Sequence, residues 1–136
     1  MPAKEEPPPR EAELRTIAMP ADTNAYGDIF GGWLLAQMDL AAGSYAIMRA
    51  RGRVATVAIE AMSFHRPVYV GDQVSCFCRT QRVGKTSITV HVETWARRRL
   101  EHLFGETVKV TEGSFTFVAL NQDGSKRPLP GIAKED

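Results

Sequence analysis

From residue 54 onward, apolar and polar positions alternate along the chain. Four stretches carry the period-two pattern: 54–62 (VATVAIEAM), 73–83, 86–97 and 107–120, the last ending in the aromatic-apolar run FTFVAL. Alternation predicts β-strands, because successive side chains of a strand point to opposite faces. Pro67 and Gly71-Asp72 punctuate the gap after the first strand, and Gly84-Lys85 makes a tight hairpin turn between the second and third. Gly105 and the segment around His102 separate the third from the fourth. Residues 14–19 (LRTIAM) read as a further short strand stopped by Pro20. Between that strand and the others the spacing becomes helical over 32–50 and stops at Gly52, a residue that commonly follows a helix end. A strand, one long helix and four strands predict an α+β domain, with the helix laid against a mostly antiparallel sheet.

On a wheel of about 100° per residue, Gln37, Ser44 and Arg51 share one narrow polar sector, with Arg49 apart near the helix end. Leu34, Leu35, Met38, Leu40, Ala41, Tyr45, Ile47 and Met48 leave little else polar, so the sheet is expected to wrap the helix on most sides. Asp39 is the single acid of this helix and lies outside the polar sector, among Leu35, Ala36, Ala42, Gly43, Ala46 and Ala50. Burying an unpaired charge is costly. Two readings stay open: a structural acid bonded to a loop's backbone N–H groups, or a catalytic carboxylate beside a cleft that small side chains keep open.

The segment before the helix, DTNAYGDIFGGW, has the features of a ligand-binding loop. Gly31 and Gly32 lack Cβ atoms, so backbone N–H groups at a helix N-terminus can approach a ligand and stabilise a developing oxyanion. Asn24 offers an amide that can donate to a carbonyl or orient a water. Asp22 and Asp28 are expected only to supply turns and the helix cap.

Composition narrows the function classes. The chain has 136 residues, room for one domain, and 17 Lys+Arg against 16 Asp+Glu. That balance gives the molecule as a whole no strong field to recruit nucleic acid or an anionic membrane, and the run Arg97-Arg98-Arg99 reads as a solvated strand end. The start, MPAKEEPPPREAE, is charged, proline-rich and poor in apolar residues, which predicts a disordered tail over 1–13. No signal peptide is expected there, no stretch reaches a membrane span, and a soluble cytoplasmic protein is expected. The folded domain is expected over 14–127, with a C-terminal tail over 128–136. Cys76 and Cys78 stand two apart in a strand, roughly 6.5–7 Å between Cα atoms, at or beyond the reach of an unstrained disulfide. They read as small buried thiols in a reducing compartment.

Several chemistries drop out. Gly84-Lys85-Thr86 looks like the end of a phosphate-binding P-loop, but Arg79 stands where that motif needs its first glycine. No G-x-S-x-G elbow occurs. His65, His91 and His102 show no metal-ligand spacing, and each reads as a surface or half-buried strand histidine. No metal and no cofactor are expected.

The motifs taken together resemble a known family. RTIAMPADTNAYGDIFGGWLLAQMDLAAG, then FHRPVYVGDQV, VGKTSITVHVETW and GSFTFVALNQDG, are similar in order and content to YciA-type acyl-CoA thioesterases. The similarity covers roughly residues 14–127, and N-x-x-G-D-I-F-G-G-W together with Q-M-D carries its specificity. The resemblance implies a single hotdog domain, in which a curved antiparallel sheet wraps one long helix. It implies pairing of two domains into one continuous sheet with active sites at the dimer interface, and a homohexamer built as a trimer of dimers. It implies hydrolysis of fatty acyl-CoA to free acid and coenzyme A, with coenzyme A as part of the substrate. Asp39, in Q-M-D, would act with Asn24 of the partner subunit. Phe30, Gly31 and Gly32 would bind substrate, and Gly84, Lys85, Thr86 and Ser87 would lie near the coenzyme A phosphates. A non-catalytic acyl-CoA sensor using the same cleft is the alternative. The sequence departs from the family at Tyr26, where relatives often carry a small or polar residue, at His65-Arg66, and at Lys85, which replaces a frequent Arg and lacks its planar fork.

Overall fold

The computed structural model describes residues 5–99 and 103–132; His102 and the ends of both expected tails lie outside them. The elements follow in the order β1 (Leu14–Ile17), a one-turn 3-10 helix (Pro20–Asp22), α1 (Gly31–Ala50), β2 (Val54–Phe64), β3 (Gln73–Val83), β4 (Ser87–Arg99) and β5 (Phe104–Ala119). The five strands form one sheet in the order β1-β3-β4-β5-β2, each neighbour antiparallel. The helix and all five strands stand where the periodicity put them, within a few residues at their ends.

The sheet curves around one face of α1. Met38, Ala41, Ala42, Tyr45 and Ala46 pack on Cys76, Cys78, Ile88, Val90, Val92, Phe115 and Phe117. A second cluster, Ala18, Ile29, Leu34, Val68, Val74, Ala96 and Val110, anchors the start of the helix. The small helical residues let the sheet come close, which is why one side is so fully buried. The opposite side is not wrapped within one chain: Leu40, Ile47 and Met48 are exposed. The helix ends as Arg51 turns left-handed at φ 55°, its N–H returning to Ile47 O, and Gly52 N reaches the same carbonyl at 3.3 Å.

The arginine run differs from its sequence reading. Arg97 and Arg99 are exposed at the end of β4, but Arg98 turns inward to the buried Asp72 at 2.5 Å and donates to Pro67 O at 3.0 Å. Asp72 also accepts from Tyr69 N at 2.9 Å, so the pair pins the β2–β3 connection. A buried carboxylate requires such donors. Past Arg127, Leu129 N donates to Lys85 O at 2.9 Å, and Leu129 and Ile132 pack against the main core.

Candidate functional site

The loop into α1 is built by its own polar side chains. Asp22 accepts from Met19 N at 2.9 Å and Thr23 Oγ1 donates to Pro20 O at 2.7 Å, so Asp22 serves the turn as expected. Asn24 Oδ1 accepts from Tyr26 N at 2.9 Å and Asp28 N at 3.1 Å, while Asn24 N donates to Asp28 O at 2.8 Å. Two backbone donors facing one amide atom identify it as the oxygen. The NH2 end of Asn24 is therefore left as a donor, with no partner among the described residues. Gly27 completes the turn at φ 83°, a left-handed conformation that glycine adopts without a Cβ penalty.

No side chain caps α1: Phe30 occupies the N-cap in extended conformation and makes no side-chain cap bond. Trp33 N returns to Phe30 O at 3.1 Å, whereas the N–H groups of Gly31 and Gly32 have no acceptor among the described residues. Asp28 does not supply the cap expected of it. Uncapped donors at the positive end of the helix dipole form a site for negative charge. A Cβ on Gly32 would stand 3.2 Å from the Phe30 ring, and one on Gly31 3.5 Å from the Phe64 ring. Beside them a hollow of about 330 Å³ is lined by Ile29, Gly31, Leu34, Phe64, His65 and Arg66 among others.

Two turns further along the same helix, Asp39 is half-buried. Its Oδ1 accepts from Thr56 Oγ1 on β2 at 2.8 Å, and Oδ2 has no partner among the described residues. The acid is thus held through one oxygen by a hydroxyl. Neither reading of the sequence named Thr56. A threonine in a strand carries no signal of its own, and only the packing of α1 on β2 brings it opposite Asp39.

The strand that supplies Thr56 is an edge strand. β2 pairs with β5 alone, and Val57, Ile59 and Phe64 on it are exposed. Its register shifts between Thr56 and Ala58 and again between Glu60 and Ser63, with Ala61 at φ 53°. Exposed apolar side chains beside unpaired strand groups mark a surface that another chain covers.

The turn Gly84–Ser87 lies at the other end of the sheet. Gly84 N donates to Ser87 O at 2.7 Å, Ala119 N to Thr86 O at 2.9 Å, and Val54, where β2 begins, pairs with Ala119. Gly31 instead faces Phe64, where β2 ends. One chain therefore brings Asp39 and Thr56 together and holds Asn24, Phe30, Gly31 and Gly32 around the helix start. Lys85 and its neighbours lie a strand length from Gly31, at the Val54 end of β2 where Thr56 also stands.

Other nucleophiles are disabled. Burial pushes the Cys76 thiol up to about 11 despite its hydrogen bond with Thr94, and burial first, then Cys76, pushes Cys78 still higher. Both thiols are unpaired and remain protonated at neutral pH. Among the described residues no cluster of His, Cys, Asp and Glu could hold a metal ion, and no helix is long and apolar enough to cross a membrane.

Comparison with known proteins adds three findings. The profile of the thioesterase superfamily matches residues 26–102. The acyl-CoA thioester hydrolase YciA of Salmonella typhimurium is 50% identical over 123 residues, which cover 90% of this chain and 92% of its relative. Two solved structures share the fold. A hexameric thioesterase from Yersinia pestis superposes with a TM-score of 0.85 at 47% identity, covering 91% of this chain and 99% of that one. A hexameric hotdog fold thioesterase of Campylobacter jejuni does so with a TM-score of 0.83 at 39% identity, covering 89% and 91%.

Proposed function

The chain belongs to the thioesterase superfamily, among the acyl-CoA thioester hydrolases of the YciA kind, and from that membership we propose that Asp39 is the carboxylate of the reaction. Water and an acyl-CoA give a carboxylic acid and the free thiol of coenzyme A. The observation that carries the reading is the Thr56–Asp39 bond at 2.8 Å. With Oδ1 held by a hydroxyl, Oδ2 is the basic atom left to act. It takes a proton from the attacking water as general base, or attacks the thioester carbonyl itself to form an anhydride that water then opens; one geometry serves both. As charge builds on the carbonyl oxygen, the unclaimed N–H groups of the partner subunit's Gly31 and Gly32 stabilise it, since those of the same chain stand two helical turns from Asp39. Phe30 lines the approach. Expulsion of the thiolate, protonated from Asp39 or solvent, completes the step.

Asn24 of the partner subunit supplies the second polar group. Pairing of two β2 edges about a two-fold axis would continue the sheet from one protomer into the next and bury Val57 and Ile59. In that arrangement the amide donor of each Asn24 faces the other chain's Asp39. The same pairing gives coenzyme A a path from the site to the Gly84–Ser87 turn, where Lys85 and the Thr86 and Ser87 hydroxyls meet its phosphates. Like its relatives from Yersinia pestis and Campylobacter jejuni, the protein assembles as a homohexamer. Its two unpaired thiols and its coenzyme A substrate suit the cytoplasm.

Co-expression tests the shared site. Asp39→Asn and Asn24→Ala chains, each inactive alone in a thiol-release assay, should together recover roughly a quarter of the wild-type sites, because half of randomly paired dimers are mixed and each mixed dimer holds one intact site. Recovery of nothing, with mixed dimers present by mass, would show that both residues serve the same chain.

A further inference from the structure

A cavity of about 500 Å³ lies between β1, β3, β4 and β5, lined by none of the residues assigned to the hydrolysis. Ser75 and Phe77 line it, and they alternate along β3 with Cys76 and Cys78, which face α1. The cavity therefore opens on the sheet's outer face, away from the cleft of Asp39. Phe77 and Trp95 contribute buried rings to its wall, Arg15 and Arg97 stand at its side, and Glu5 and Glu6 of the N-terminal segment lie over it.

Three features specify what it accepts. Trp95 Nε1 is buried with no hydrogen-bond partner among the described residues, and an orphaned buried donor calls for an acceptor oxygen. Arg15 is oriented by its Nε, which donates to Ser75 Oγ at 2.8 Å. That contact leaves its terminal N–H fork, which matches a carboxylate in shape and charge. The cover is itself acidic and lightly held. Glu5 pairs with Arg66 at 3.2 Å, with about half of each side chain exposed, an arrangement that contributes little. Residues 5–12 form neither helix nor strand, and the first tie to the sheet is Glu13 N, which donates to Cys76 O at 2.8 Å. The tail thus places carboxylates at this cavity already, and an anion carried by another molecule can exchange with them.

We infer that the outer cavity is a second binding site, for an alkyl carboxylate, whose head meets Arg15 and Trp95 and whose chain lies on the Phe77 and Trp95 rings in place of the acidic tail. The acid released by the proposed hydrolysis has this chemistry, so the source of the ligand rests on that reading; the binding itself does not.

Calorimetric titration of the assembled enzyme with octanoate, acetate and octylamine tests it. Octanoate should occupy one site per chain beyond the catalytic cleft, acetate should bind more weakly, and octylamine should leave that site empty. Arg15→Gln, at an exposed position, should weaken the extra site by at least about tenfold, the worth of a charged hydrogen bond, and leave the maximal hydrolysis rate unchanged. Trp95→Phe should weaken the site while keeping a ring in place. Removal of the residues before Arg10 should strengthen it by roughly two- to fivefold, the contribution of one exposed ion pair. Wild-type octanoate binding in both Arg15→Gln and Trp95→Phe, or equal binding of octylamine, overturns the proposal. An enzyme that hydrolyses acyl-CoA but shows no Arg15-dependent site refutes the cavity alone. A chain with that site and no turnover refutes the catalytic reading alone.

Discussion

Thr56→Val removes one hydroxyl and almost nothing else. Valine matches threonine in shape and is at home in a strand, so β2 keeps its form and its pairing with β5. What disappears is the O–H donor 2.8 Å from Asp39 Oδ1. A hydrogen bond to a charged group contributes about 1.5–3 kcal/mol. Both residues are within reach of water, which replaces part of the loss, leaving about 1–2 kcal/mol in the transition state, or roughly a 5–30-fold fall in kcat. KM should move little, because the bond orients the acid and does not hold substrate. Thr56→Ser should restore most of the rate, since it returns the hydroxyl without the methyl. Thiol release from a short acyl-CoA, followed with a chromogenic disulfide at saturating substrate, reads both variants against wild type. A double-mutant cycle with Asp39→Asn, read as unfolding free energy in denaturant because that variant has no turnover, isolates the coupling. If Thr56→Val costs as much in the Asp39→Asn background as in the wild type, the hydroxyl is not positioning the acid. The same holds if valine and serine both keep kcat within about twofold of wild type, a difference too small to credit to a hydrogen bond.

Three further outcomes follow from the packing and the charges. A Cβ on Gly113 would run into Met62 Sδ, the outer part of a flexible and partly buried side chain; overpacking that such a chain can relieve costs about 1 kcal/mol, the low end of its range. Gly113→Ala should therefore lower Tm by several degrees in a thermal melt, and adding Met62→Ala should recover part of that loss. Glu112 directs its oxygens at His65 Nε2 (3.0 Å), His91 Nε2 (3.2 Å) and Lys109 Nζ (3.1 Å). Partial burial works to raise its carboxyl, but the Lys109 and His65 hydrogen bonds outweigh it and bring the pKa from 4.5 to about 2. A lowered folded value stabilises above the unfolded pKa and loses its effect as pH falls through the folded one. Discounted for solvent exposure, the shift is worth about 1 kcal/mol. Glu112→Gln should cost that much in denaturant melts at pH 7, the difference shrinking from pH 4.5 downward and gone at about pH 2. Ile59→Lys should convert the assembly to monomers by light scattering and abolish turnover with it; an active monomer would contradict a site shared between chains.

Much of the fold was legible because its elements have clean periods. Helix and strands read off residues 32–50 and from 54 onward, and Asp39 stood out because a lone acid breaks an apolar wheel. What escaped depended on strands meeting across the sheet. Thr56 became visible only when α1 lay on β2. The Glu112 cluster needs the register that sets His91 opposite Ser114 and Glu93 opposite Glu112, which periodicity does not encode. Arg98 read as solvated because the neighbouring sequence says nothing of Asp72, 26 residues away along the chain. Asn24 was legible as a polar loop residue, but the division of labour between its two amide atoms was not: the oxygen shapes the loop and the nitrogen is left over.

The irregular β2 has a consequence before any assembly exists. A newly released chain carries a bare strand edge with Val57 and Ile59 on it, the sort of template on which stray extended peptides collect. Its two register shifts, and Ala61 at φ 53°, interrupt that edge, so a regular foreign strand can follow it for only a few residues. A strand with the same interruptions fits along more of its length, and only a sister copy has one. The kinks that look like imperfections in the single chain thus protect it during its solitary life, by making its own kind the one easy match.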